Sequence, residues 1–243
     1  MSERIGLKTT EPRHAAGRPP RRRRRWLRWI AIAAAAIVVL FVLAAWAFVK
    51  FGPTAVPLAL PAGPVSGPAG PLDGSWTVAP GSIAGFRVRE TALGMSNDAV
   101  GRTSAVAGAV AISGDRVTSA TVRVDLAAIT VSGKRQPQFA SSLRTGQYPD
   151  ATFTLAAPVA LSPAFAAGGT ASLRVTGQLA MNGTTHQVTV SISARRDGTT
   201  MQVAGSIPVT FSAWHITGPG GFGFLASLAD HGTAEFLLTL RQP

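Results

Sequence analysis

An all-β domain behind a membrane-spanning segment is the architecture that this 243-residue sequence predicts, and three observations carry that reading. Residues 29–49 are an unbroken apolar run, residues 51–73 are dense in Pro, and beyond Asp73 apolar residues recur at every second position between Gly, Asn and Asp turns. A period of two marks strands with one buried face. Many such strands joined by short turns form an antiparallel barrel or sandwich.

The run from Trp29 to Val49 holds no charged, amide or hydroxyl side chain and no Gly or Pro. At 1.5 Å rise per residue, a helix of that length covers about 30 Å, the hydrocarbon thickness of a bilayer. Trp26, Trp29 and Trp46 lie near its ends, where indole rings favour the headgroup region. Ten Lys and Arg precede the run, including Arg21 to Arg25 and Arg28, whereas after Lys50 no basic residue occurs until Arg87. Basic flanks stay cytoplasmic, so the expectation is a single-pass protein of the cell membrane with its N-terminus inside and residues 51–243 extracytoplasmic. A cleaved leader ending at Ala45-Trp46-Ala47 is the rival reading; the apolar run and the basic segment before it are both long for one. The expected layout is a disordered basic leader at 1–28, a transmembrane helix at 29–49, a Pro/Gly-rich stalk at 50–73 and a β-domain at 74–243. An extended Pro-rich stalk would reach about 60 Å at ~3.1 Å per residue.

The net charge of +12 is unevenly spread. Residues 1–50 carry eleven basic and two acidic side chains, and residues 51–243 carry twelve and nine. The excess therefore reads as a topology signal touching anionic inner-leaflet lipids, and no specific nucleic-acid partner is expected. With no Cys, disulfides, thiolate sites and a lipid-modified cysteine anchor are all excluded.

Strand by strand, the candidate cavity residues are those on the apolar phase. Phe86 and Val88 alternate with Arg87 and Arg89, which read as a solvated outer face together with Glu90. Val106 and Val110 lead to a turn at Gly114-Asp115, and Val122 and Val124 alternate with Arg123 and Asp125. A helical segment near 136–147 precedes Phe153 and Leu155. Val175 lies before the Asn182-Gly183 turn, with Val188 and Val190 after it. Asp197-Gly198 turns the chain toward Val203, Phe211 and Trp214, and Phe236 lies in the last strand. Both turn glycines should take positive φ, the geometry that suits the twist of a hairpin.

A barrel of eight strands is either filled by its side chains or holds one small ligand. Ala105, Ala107, Gly108, Ala109, Ala111, Ala120, Gly177, Ala204 and Gly205 are too small to fill one, which favours a void. Phe86, Phe153, Leu155, Phe211, Trp214 and Phe236 could instead plug it, giving a structural or interaction domain with a full core.

Catalytic patterns are sparse. His14, His186, His215 and His231 have no metal-ligand spacing, no Gly-x-Ser-x-Gly elbow occurs, and Gly218-Pro219-Gly220-Gly221-Phe222-Gly223 lacks the Lys-Ser/Thr of a phosphate loop. That segment reads as a loop presenting Phe222 and Phe224 to a barrel mouth or a membrane. No catalytic residue, metal or cofactor is assigned, and an enzyme acting on a lipid has no residue set behind it.

An ordered series of segments does resemble a known family: Gly74-Ser75-Trp76-Thr77-Val78, Phe86-Arg87-Val88-Arg89-Glu90, Val100-Gly101-Arg102-Thr103 and Tyr148-Pro149-Asp150-Ala151-Thr152-Phe153. It continues with Gly177-Gln178-Leu179, Asn182-Gly183-Thr184-Thr185-His186-Gln187-Val188 and Asp230-His231-Gly232-Thr233-Ala234-Glu235-Phe236. Together they resemble the YceI-like, or polyisoprenoid-binding, family over roughly 74–241, here in a membrane-anchored form. The resemblance implies an eight-stranded, lipocalin-like antiparallel barrel with a short helical excursion. It also implies a long apolar cavity for an isoprenoid or quinone-type lipid. The chain departs from the family pattern at Gly81-Ser82 and at Lys134-Arg135-Gln136-Pro137-Gln138-Phe139, so headgroup contacts are not carried over.

Overall fold

The computed structural model describes residues 31–43, 56–63, 70–92, 95–197, 199–218 and 226–243. The chain divides into two units, Met1–Gly52 and Pro53–Pro243. In the first, residues 31–43 are helical (α1) with exposed side chains. Among the described residues no helix is long and apolar enough to cross a membrane. Residues 29–30 and 44–49 of the apolar run lie outside them, as does the leader.

Among its described residues the second unit has twelve strands: β1 (Gly74–Val78), β2 (Ile83–Ala92), β3 (Met95–Thr103), β4 (Val106–Ser113), β5 (Arg116–Asp125), β6 (Thr130–Val131), β7 (Asp150–Leu155), β8 (Val159–Ala160), β9 (Thr170–Met181), β10 (Thr184–Asp197), β11 (Thr200–Thr210) and β12 (Ala226–Arg241). Short helices α2 (Pro137–Ser142) and α3 (Pro163–Ala166) and a 3-10 turn, η1 (Phe211–Trp214), complete it. Eight antiparallel strands close in the order β1-β4-β5-β7-β9-β10-β11-β12, the ring being joined where Thr77 and Val78 pair with Arg241 and Leu240. The rest of β12 pairs with β2, which continues the sheet into β3 and β6. The barrel, not the sandwich, is therefore the form the alternation takes.

Two-residue turns set the registers. Gly114 and Asp115 both have φ 57°, and Asn182 and Gly183 have φ 52° and 77°, so both hairpins turn through the left-handed pair that matches strand twist. The β9–β10 ladder then runs without a slip from Thr184 opposite Met181 to Arg195 opposite Thr170. Asp197 pairs with Thr200 as a hairpin requires, while Gly198 lies outside the described residues.

Asn182 is fully buried, and both polar atoms of its side chain are hydrogen-bonded. Its Nδ2 donates to the carbonyls of Trp214 (2.9 Å) and His215 (3.1 Å). Its Oδ1 and its backbone carbonyl accept from Arg144 at 2.8 and 2.7 Å. One side chain thus ties the β9–β10 turn to η1 and to the segment after α2.

One end of the barrel is closed by α3. Ser162 caps that helix by accepting from the Phe165 N–H at 3.2 Å, and Pro163 takes its first turn, where no amide is needed. Phe165, fully buried, packs there with Leu72, Trp76 and Leu161, and the Trp76 indole N–H donates to the Leu72 carbonyl at 2.9 Å. Elsewhere η1 and the segment after α2 meet the β9–β10 turn through Asn182.

The segment expected to stand clear as a stalk is partly bound to the barrel wall. The Leu58 N–H donates to Glu235 (3.3 Å), Arg195 donates to the Pro61 carbonyl (2.6 Å), and Arg196 donates to the carbonyls of Gly70, Pro71 and Ala166. Proline removes amide donors but leaves every carbonyl free, and two buried guanidiniums collect them. These residues belong to the same compact unit as the barrel, Pro53–Pro243.

Arg87, expected on a solvated outer face, is largely covered. It bonds Glu235 Oε1 at 2.8 Å and Asp98 Oδ2 at 3.1 Å, while Arg102 bonds Glu235 Oε2 at 2.5 Å. Arg89, at 67% exposure, does face solvent. Burial alone would raise the Glu235 carboxyl, but the bond from Arg87, the Leu58 amide and the charges of Arg102 and Arg87 outweigh it and hold it below the ordinary glutamate range. Stability from this group is therefore full above the unfolded carboxyl's pKa, about 4.3, and is lost as pH falls through the lower folded value. Glu235→Gln is expected to cost about 1–3 kcal/mol at neutral pH and to flatten the acid limb of stability against pH. Urea unfolding at a series of pH values checks this; parallel acid limbs for the two proteins would contradict it.

Candidate ligand-binding cavity

Inside the ring is a cavity of about 260 Å³. Ser142, Thr233 and Glu235 are the only polar residues that border it among the described residues. Thr233 and Glu235 alternate out of phase with Ala234 and Phe236, and the Glu235 carboxylate is engaged on the outer wall, so the interior is almost wholly hydrocarbon.

Three aromatic residues that could have plugged the barrel instead form its wall. A Cβ built on Gly101 would fall 2.4 Å from the Phe86 ring, one on Gly177 2.2 Å from Phe153, and one on Gly205 2.6 Å from Phe236. Each ring therefore packs directly against a glycine of the wall, in space that a side chain there would fill. The small residues act differently from what their size suggested: Ala107 and Ala109 face outward, while Gly177 and Gly205 are beds for rings.

Twelve of the fifteen residues chosen from alternation border the cavity: Phe86, Val88, Val110, Val122, Val124, Phe153, Leu155, Val175, Val190, Val203, Phe211 and Phe236. Val106, Val188 and Trp214 do not. Val106 keeps the inward phase of Val110 but starts β4, and it packs against the closed-end cluster. Val188 and Trp214 share a second cluster with Leu179 and Val209. There the Trp214 ring stands edge-on to His186 with centroids 4.7 Å apart, consolidating core instead of facing the void.

Alternation missed the helical contributors. Phe139, Ser142 and Leu143 of α2 and its C-cap line the α2 end at i, i+3, i+4 spacing, a helical pattern that a period-two reading passes over. Phe165 of α3 lines the closed end. Met201 and Leu240 on β11 and β12 were in phase and also belong to the lining.

The three described histidines each have a separate partner. His186 bonds the Ala213 carbonyl at 2.8 Å, His215 the Thr184 hydroxyl at 3.0 Å, and His231 the exposed Asp230 at 2.7 Å. Among the described residues no three His, Asp or Glu could hold a metal ion. The Gly-rich loop with Phe222 and Phe224 lies outside the described residues.

A closed eight-stranded barrel around an apolar void, with this order of segments, matches one family profile, that of the YceI-like domain, over residues 76–240. The chain belongs to the YceI-like family. Among solved structures, a polyisoprenoid binding domain from Saccharophagus degradans implicated in plant cell wall breakdown aligns with this YceI-like chain at a TM-score of 0.56. The two are 16% identical, and the alignment covers 69% of this chain and 98% of that one. BcnA of Burkholderia cenocepacia aligns at 0.49 with 24% identity, over 63% of this chain and 95% of its own. No curated protein matches in sequence. At these identities the structural likeness is one of fold, and the YceI-like barrel's cavity stands on its own geometry.

Proposed function

We propose that this YceI-like barrel holds an isoprenoid-type or similar amphiphilic lipid, in sequestration or transport, and that it does so outside the cytoplasm from a single-pass membrane anchor. The observation that carries the binding role is the cavity: about 260 Å³ kept free along the axis because Phe86, Phe153 and Phe236 are seated on glycines. Burying a few hundred Å² of chain at about 25 cal/mol per Å² gains roughly 5–10 kcal/mol before association costs, enough for micromolar binding. The polyisoprenoid binding described for the S. degradans domain supports the choice of ligand class. A binding role also suits a wall that is almost wholly hydrocarbon.

Organic extraction of the purified membrane-free unit, 53–243, followed by mass spectrometry, should recover a lipid in near-stoichiometric amount. Absence of any lipid, together with failure to take up added farnesol, would favour a barrel that serves only as a structural domain.

The anchored, outward orientation rests on the apolar run and on the ten basic residues before it. A reporter active only outside the cytoplasm, fused after Pro243, should be active, and N-terminal sequencing of the mature protein should begin before residue 29. An active cytoplasmic reporter would reverse the orientation, and a mature chain starting after Ala47 would replace the anchor with a cleaved leader.

A further inference from the structure

Among the described residues two hydroxyl side chains border the cavity, Thr233, one step out of phase with the inward Ala234, and Ser142. Ser142, the last residue of α2, is 9% exposed, borders the void, and has no hydrogen-bond partner among the described residues. A serine in a helix ordinarily satisfies itself on the carbonyl four residues back. This one does not, which leaves its hydroxyl at the cavity border able both to donate and to accept. Arg144 is held by Asn182 and covers the Tyr148 ring at 4.9 Å, and Arg87 and Arg102 are bound to Glu235 on the outer wall. No cation therefore faces the void among the described lining residues. Beside Ser142 on the same helical face is Phe139, whose ring meets Phe86 at a centroid distance of 4.9 Å and a tilt of 43°.

Resting on the binding role proposed above, we infer that Ser142 is a specificity-determining residue that hydrogen-bonds a neutral oxygen, hydroxyl or carbonyl, on an otherwise apolar ligand at the α2 end of the cavity. The chain of the ligand lies along the hydrocarbon wall toward Phe165, and its oxygen-bearing part lies against Ser142, Phe139 and Phe86. A charged headgroup has no countercharge there and is not accommodated inside.

The test compares Ser142→Ala with the parent for two probes of one carbon skeleton, farnesol and farnesene, by fluorescence displacement on the 53–243 unit. Comparing each probe between the two proteins cancels the probes' different solubilities. Farnesol affinity should fall by about 3–10-fold in the variant, the scale of one neutral hydrogen bond, while farnesene affinity should stay within about twofold or tighten. An unchanged farnesol affinity, or an equal fall for both probes, would overturn the role of Ser142 while leaving the cavity as the binding site. Failure of both probes to bind the parent would remove the binding role and this inference with it. Ala is the better helix former, so loss of fold is not expected from the substitution, and thermal melting verifies that.

Discussion

Gly183→Val is expected to destabilise the barrel by roughly 2–5 kcal/mol, the largest single effect on stability foreseen here. The residue has φ 77°, a left-handed conformation that costs an L-residue about 1–2 kcal/mol and a β-branched one more. A Cβ at that position would also fall 2.6 Å from the Tyr148 ring, which is pinned by Arg144, itself bonded to Asn182. Overpacking of that kind adds about 1–3 kcal/mol. Because the turn, η1 and the segment after α2 are joined through Asn182, the strain cannot be relieved by letting one loop move. Urea denaturation measures it; an unchanged midpoint would mean that the turn and its wiring are not as described.

Val124→Trp should abolish most lipid uptake, with farnesol affinity falling by at least about tenfold. Val124 is half-buried, borders the cavity, and pairs with Val106 and Ala151 on the neighbouring strands, so an indole there projects into the void. The lost apolar contact, at about 25 cal/mol per Å², exceeds the 1.4 kcal/mol of a tenfold change once some 60 Å² of ligand is displaced. Val190 also borders the cavity but is only 2% exposed, so Val190→Trp would disturb packing as well as binding. Arg123→Ala is the matched control. One residue out of phase, Arg123 is 64% exposed and forms an ion pair with Asp150 at 2.9 Å, so its loss should leave uptake unchanged. Full uptake by a folded Val124→Trp protein would place the ligand elsewhere.

Much of the barrel was legible because a strand's period is local. The clean alternation of Ala120 to Leu126 and of His186 to Ile192 told inside from outside, and the structure keeps that phase. Turn chemistry was equally local: Asn182-Gly183 and Gly114-Asp115 are residues for which left-handed backbone is inexpensive, and both became two-residue hairpins. Phase alone, however, assigned Val188 and Trp214 to the cavity, when whether an inward side chain meets void or core depends on what covers it.

What the sequence by itself determined is the set of alternating strands, their turns, the separation of an apolar run and basic leader from the β-domain, and the order of motifs that marks the family. These depend on neighbours a few residues apart. Only the tertiary structure decided whether the barrel would be full or hollow. The answer lies in pairs such as Phe86 with Gly101 and Phe236 with Gly205, which are distant in sequence or on separate strands, and in which a glycine lets a ring lie against the wall. It likewise decided that Glu235, Arg195 and Arg196 would hold the proline-rich segment, and that Ser142 would face hydrocarbon unpaired. Close approach and desolvation are properties of three-dimensional neighbours, and no periodicity along the chain encodes them.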